Sequence, residues 1–318
     1  MLLDTLYTSC ILAATVNHQE TSHWPDAMPI ESPTFRFVDV GEVRLHVAEA
    51  GSGPLVVLLH GFPEFWYAWR HQIPALIRAG FRVVAPDMRG YNLSDKPRGV
   101  GAYRVPALVE DVAGLVRACG ATRASVVGHD WGGTVAWAFA TQYPEMLDRL
   151  AILNSPHPKS MARVIRTPRQ FLKSWYMYFF QLPWLPEAAI RMQGLDRLLR
   201  DFERDPRVPG TLSDADRDRY TSAFAQPGAL TAMLNYYRAL GRTGVGVKHH
   251  PIEAPVLVIW GDHDRYLVRE LAEPDPTIVP RARVERIDAS HWVQNEQPER
   301  VNALLIDFLV QSSPGPDP

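Results

Sequence analysis

Short runs that are apolar throughout, separated by helix-length stretches, constrain this chain more than any other feature. Leu55–Leu59 is wholly apolar, and Arg82–Ala85, Arg123–Val127, Arg149–Leu153 and Pro255–Trp260 come close. A strand that is apolar on both sides must be covered on both faces, which means a mostly parallel sheet with helices above and below. The intervening segments Trp66–Arg78, Val105–Ala118 and Thr134–Gln142 supply such helices, and Pro298–Val310 closes the series. Two alternating strands around Gly41-Glu42 come first, and a strand over Arg283–Ile287 follows a helical stretch after Trp260. The expected fold class is α/β, with functional loops beyond the carboxyl ends of the strands.

Lys159–His250 breaks this alternation. It has no strand-like run, is rich in arginine and aromatics, and is interrupted by Pro183, Pro186, Pro206 and Pro209. A helical cap inserted into one sheet domain is the simplest account. The expected plan is an extension over 1–32, core over 33–158, cap over 159–250, core over 251–310 and a mobile tail over 311–318. A net charge of −2 and the lack of a basic stripe give no electrostatic reason to expect nucleic acid or an anionic membrane as partner. A small uncharged ligand is expected; a homo-oligomer is compatible. Leu6–Val16 is mildly apolar, but Asp4 and no basic residue precedes it, and it is too short to span a bilayer. Cys10 and Cys119 are the only cysteines, too few for a disulfide framework or a cysteine metal cluster. A reducing compartment, the cytoplasm, is therefore expected.

The chemistry concentrates at Gly128-His-Asp-Trp-Gly132, where a buried strand turns into a helix. Such a turn is tight enough to need glycine on either side and holds the residue between them, Asp130, up and exposed. A carboxylate there can attack carbon and leave an ester, which then needs a base and a group to orient that base. The base should follow a strand end. His291, in Asp288-Ala-Ser-His-Trp292, fits; His129 points into the sheet, and His249 and His250 lie in a linker. The orienting acid is sought in Trp260-Gly-Asp-His-Asp264. Asp264 is chosen because it reaches sideways toward His291, whereas Asp262, nearer the strand, tends to cap the turn and is the rival. Asn154, at another strand end, is neutral. His60-Gly-Phe-Pro63 directly follows Leu55–Leu59, so the Phe62 and Trp131 N–H groups are the candidate oxyanion hole.

Five ordered motifs carry a resemblance: His60-Gly-Phe-Pro-Glu-Phe-Trp-Tyr-Ala-Trp69, Asp87-Met-Arg-Gly-Tyr-Asn-Leu-Ser94, Gly128-His-Asp-Trp-Gly132, Trp260-Gly-Asp-His-Asp264 and His291-Trp292. Over roughly residues 33–310 the chain resembles an epoxide hydrolase of the soluble type, on the α/β-hydrolase fold. Asn92 stands where many relatives have glycine, and asparagine tolerates positive φ. The resemblance implies two cap tyrosines that grip the epoxide oxygen. Asn235-Tyr-Tyr-Arg238 places one at Tyr237, and Ser174-Trp-Tyr-Met-Tyr-Phe-Phe-Gln181 places the other at Tyr176, with Tyr178 as rival. Trp175, Tyr178, Phe179 and Phe180 are expected simply to pack helices. The implied reaction takes an apolar epoxide and water to a 1,2-diol through an ester on Asp130, with no metal or organic cofactor. Haloalkane dehalogenases share the Asp-His-acid logic, but Phe62 stands where they commonly place a halide-binding asparagine. Fluoroacetate dehalogenases use arginines where this chain has Trp131 and Thr134, and a non-catalytic receptor would not need an intact Asp130, His291 and acid loop.

Overall fold

The computed structural model describes residues 32–195, 197–246 and 250–311. The expected extension before residue 32, the tail from residue 312, Cys10 and His249 lie outside them. The chain enters through β1 (Thr34–Asp39) and β2 (Arg44–Ala50), an antiparallel pair around Gly41-Glu42. Six more strands follow: β3 (Leu55–Leu59), β4 (Arg82–Pro86), β5 (Ala124–His129), β6 (Leu147–Leu153), β7 (Val256–Gly261) and β8 (Ala282–Ile287). They form one sheet of order β1-β2-β4-β3-β5-β6-β7-β8, parallel in every pairing from β4 to β8. Every residue of β3, β5 and β7 is buried, so both faces are covered, as runs without polar alternation require.

The helices of the first half are α1 (Gln72–Arg78), α2 (Val105–Ala118) and α3 (Trp131–Gln142). The cap then inserts α4 (Pro158–Val164), α5 (Pro168–Lys173), α6 (Trp175–Phe179), α7 (Leu185–Gln193), α8 (Arg197–Arg204), α9 (Asp214–Phe224) and α10 (Ala229–Thr243). After β8, α11 (Val293–Glu296) and α12 (Pro298–Val310) complete the described chain. In the core α1 packs with α12 and α2 with α3. The cap helices start where the chemistry favours it: Pro158 and Pro168 open α4 and α5, and Ser213 with Asp216 forms a capping box on α9. No helix among the described residues is long and apolar enough to cross a membrane.

Two sequence expectations need correction. Trp66–Arg78 is not one helix, because Trp66–Trp69 forms a 3-10 turn and α1 starts only at Gln72. Pro74 explains it: in a continuous helix its ring would meet the Arg70 carbonyl and its missing N–H would cost a bond, whereas in a first turn neither penalty applies. The helical stretch expected between β7 and β8 shrinks to a 3-10 turn over Arg269–Ala272. There Pro274, Pro276 and Pro280 follow too closely for a helix to propagate. At the elbow, β5 runs to His129 and α3 starts at Trp131, earlier than Thr134, so a single residue, Asp130, joins strand to helix.

Candidate active site

The chain leaves β3 for β4 on one side and reaches β5 on the other, so the strand order reverses between β3 and β5. A crevice opens at the carboxyl ends of strands that diverge in this way. The turn after β3 carries Gly61 and Phe62, and the joint after β5 is Asp130. Asp130 has φ 50° and ψ −114°, a conformation that side-chain-bearing residues rarely adopt. Its neighbours are glycine for lack of room. A Cβ on Gly128 would lie 2.5 Å from the Gly132 carbonyl oxygen, and one on Gly132 would collide with the Leu59 carbonyl. The β3 turn comes equally close, since a Cβ on Gly61 would sit 2.5 Å from that of Asp130.

Three ionisable side chains meet across this crevice. His291 Nδ1 lies 2.7 Å from Asp264 Oδ2, and its Nε2 lies 3.6 Å from Asp130 Oδ2. His291 and Asp264 are buried, while 20% of the Asp130 side chain stays accessible. Burial alone would depress the imidazole, but the charge of Asp264 and bonds to Asp130 and Asp264 outweigh it and hold His291 well above its ordinary pKa. Burial likewise opposes ionisation of both carboxyls, and His291 outweighs it, leaving Asp130 and Asp264 below the usual carboxylate value. Asp264 is further held by the N–H groups of Tyr266 (2.7 Å) and Leu267 (2.9 Å) on Oδ1. Asp262 lies elsewhere, ion-paired at 2.8 Å to both Arg269 and Arg286.

Asn154, at the end of β6, supplies a link that sequence reasoning set aside because it looked only for a charge. Its amide donates to Asp264 Oδ2 (2.8 Å), and its side-chain oxygen accepts from the Gly261 N–H (2.8 Å). His129 is buried behind the site. Its Nδ1 lies 2.7 Å from Glu64 Oε2 and its Nε2 lies 3.0 Å from the His291 carbonyl oxygen. Glu64 Oε2 also accepts from the Gly61 N–H (3.0 Å), so one buried pair braces both the β3 turn and the His291 loop. Glu64 falls inside the first motif, which was the one available signal. His250 is exposed.

Phe62 donates its backbone N–H to Asp130 Oδ1 at 2.8 Å. Trp131 is the first residue of α3, where an N–H has no helical carbonyl to bond. The turn is pinned by His60, whose Nε2 accepts from the Met88 N–H (3.0 Å) while Nδ1 lies 2.9 Å from the Gly61 oxygen. Burial pushes His60 below its ordinary pKa, in keeping with a neutral ring that donates from Nδ1. Asn92 has φ 37°, as expected for asparagine in a glycine-type turn.

Across the crevice, Tyr237 is 4% exposed and its ring packs edge-on against Phe62, Trp131 and Tyr176. Tyr176 also contacts Tyr266 and Phe180. Gln181 sets the pair: its amide donates to the Met177 carbonyl of α6 (3.1 Å) and the Tyr237 carbonyl of α10 (2.8 Å). Burial and then nearby charges, Asp130 among them, push both phenols above their ordinary pKa, so both remain donors at neutral pH. Tyr178 is 44% exposed and rests on Phe171. That contact joins α6 to α5, as the expected helix packing has it, whereas Trp175 is left exposed. Phe180 is buried, but it packs against Phe62 and both site tyrosines.

Residues 54–298 match the family model described as alpha/beta hydrolase fold. The chain is 47% identical over 278 residues to AB hydrolase superfamily protein YfhM of Bacillus subtilis (strain 168), covering 86% of this chain and 97% of that protein. It is 38% identical over 287 residues to Epoxide hydrolase 4 of Homo sapiens, covering 87% of this chain and 78% of that one. A crystal structure of Bacillus megaterium epoxide hydrolase with an inhibitor superposes with a TM-score of 0.77 at 32% identity, covering 87% of this chain and all of that one.

Proposed function

The chain belongs to the epoxide hydrolases of the α/β-hydrolase fold, and from that premise we propose how its own residues convert an epoxide and water to a 1,2-diol. The carrying observation is the division of labour on Asp130. Oδ1 is held by the Phe62 N–H, and Oδ2 faces the His291 imidazole. Oδ2 is therefore the attacking atom. It forms a bond to an epoxide carbon, the ring C–O bond breaks, and the oxygen that leaves carbon draws on the Tyr176 and Tyr237 hydroxyls for stabilisation and a proton. These donors are aimed at charge that develops only as the ring opens.

Ester formation deletes the Asp130 charge, and two consequences follow from the electrostatics. One of the influences holding the tyrosines' pKa up disappears, so they become better acids as a proton is needed. One of the two carboxylates that hold the His291 proton disappears, so the imidazole becomes freer to serve as a base. His291, oriented by Asp264, then takes a proton from water, and the hydroxide adds to Cγ of Asp130. Oδ1 becomes the oxyanion, met by the N–H groups of Phe62 and Trp131. Cleavage of the Cγ–Oδ2 bond, with the proton held by His291 passing to the departing oxygen, releases the diol; the proton on the new carboxyl restores the tyrosine hydroxyl, and the water oxygen stays in the enzyme. The aromatic surroundings of the tyrosines favour an apolar, uncharged epoxide.

A single turnover in ¹⁸O-water tests the sequence of bonds. The label is expected first in the carboxylate of Asp130 and not in the diol; label confined to the diol would mean direct attack of water on the epoxide. Two cysteines in the whole chain favour a reducing compartment, and we place the protein in the cytoplasm; activity recovered only in a secreted fraction would refute that.

A further inference from the structure

The loop that carries the base is gripped by the cap. Asp205, just past the end of α8, accepts a hydrogen bond from the His291 backbone N–H through Oδ2 (3.3 Å). Two residues on, the Arg207 N–H donates to Glu296 Oε1 (2.7 Å), and Glu296 Oε2 accepts from the Ser290 N–H (2.7 Å). The Arg207 guanidinium lies 3.2 Å from Asp288, and Phe202 packs on Trp292 with ring centroids 4.1 Å apart. One short cap segment thus touches the base loop from residue 288 to residue 296.

We propose that Asp205 is a positioning residue for the base: acting from the cap, it fixes the His291 backbone so that the imidazole spans Asp264 and Asp130. The proposal rests on the two-step reaction above. It predicts that the cap contributes to ester hydrolysis as well as to ring opening, where its tyrosines act. A carboxylate is a costly choice for packing alone, because a partly buried charge must be offset. Burial, which raises it, outweighs the charge and bond of His291, which lower it, and with Asp264 and Arg265 acting in opposite senses the Asp205 carboxyl is left pushed up to about 6. Asp205 therefore stays largely ionised at neutral pH, at the N–H of the one residue that must hold its place.

Rapid-quench mass spectrometry on the full chain resolves the two steps. In Asp205→Ala, ring opening should stay within about twofold of wild type, while ester hydrolysis slows on the order of 10-fold or more, as a displaced base implies. The ester on Asp130 should then accumulate. Asp205→Asn keeps an acceptor oxygen of the same reach and should restore most of the hydrolysis rate. Wild-type hydrolysis in Asp205→Ala would overturn the proposal, as would equal loss of both steps or an Asn variant no better than Ala. If the wild-type enzyme itself formed no ester, the two-step reaction would fall and this inference with it.

Discussion

His291 stands between two carboxylates, and losing it or its orienting acid should arrest the reaction at the ester. His291→Gln should open one epoxide and stop, leaving a protein heavier by the substrate mass; an unmodified protein would place His291 in the first step as well. Asp264→Asn should slow ester hydrolysis far more than Asp262→Asn, within the 10²–10⁴-fold range typical of acid–base groups. The reason is placement, since Asp264 touches His291 and Asp262 is engaged with Arg269 and Arg286. The reverse ranking in single-turnover rates would exchange their roles. Each tyrosine leaves a second donor when replaced by phenylalanine, so Tyr176→Phe and Tyr237→Phe should be milder apart than together. The double variant should lose on the order of 10²–10³-fold in ring opening. Greater damage from Tyr178→Phe would show that the exposed ring had been misjudged.

Among the elements, α10 does the most varied work, and three adjacent residues divide it. Tyr236 donates its hydroxyl to the Arg89 carbonyl (2.7 Å) and ties the cap to the core, while Tyr237 faces the crevice. Arg238 bonds Glu187 of α7 through both oxygens and the Phe180 and Leu182 carbonyls beside α6. Arg238→Ala would strand the buried Glu187, a loss typically worth about 3–5 kcal/mol, and should lower Tm and slow ring opening together. Removing Glu187 as well should recover part of the stability in a denaturant titration; no recovery would argue against the stranded charge. The elements around the site were legible because their signals are local: apolar runs for strands, Gly128 and Gly132 for the elbow, histidine after a strand end for His291. Asn154, Asp205 and the Glu64–His129 pair were not, because each is a neutral or ordinary residue whose meaning comes from a partner more than sixty positions away. The split of Trp66–Arg78 was legible in principle, since Pro74 was present to be read.

For the molecule as a whole, one buried apolar core runs from the sheet into the cap, with Phe202, Tyr220 and Tyr236 joined to the residues of β3 and β5. Its dependence on pH follows from the site. Asp130 and Asp264 sit below their unfolded pKa, so the stability they contribute is present above about 4 and is lost as pH falls through their folded values. Asp205 acts the other way, since its raised pKa costs stability as pH rises from about 4 to 6. His291, raised, contributes stability that is full below about 6.5 and is lost as pH climbs through its folded value. Urea midpoints measured across pH should show Asp264→Asn with a shallower acid limb than wild type; parallel limbs would mean that Asp264 gains nothing from its partners on folding.

The backbone at Asp130 carries a further consequence. A positive φ with ψ near −114° suits glycine and penalises every side chain, so at the proposed nucleophile the backbone would relax on losing a side chain that the site needs for its hydrogen bond to Phe62 and its pairing with His291. Backbone ease and side-chain pairing therefore pull opposite ways at a single codon. A laboratory lineage selected for survival at high temperature, with no demand for diol, would feel both pulls there, and a loss of the nucleophile would pass unseen unless diol were assayed.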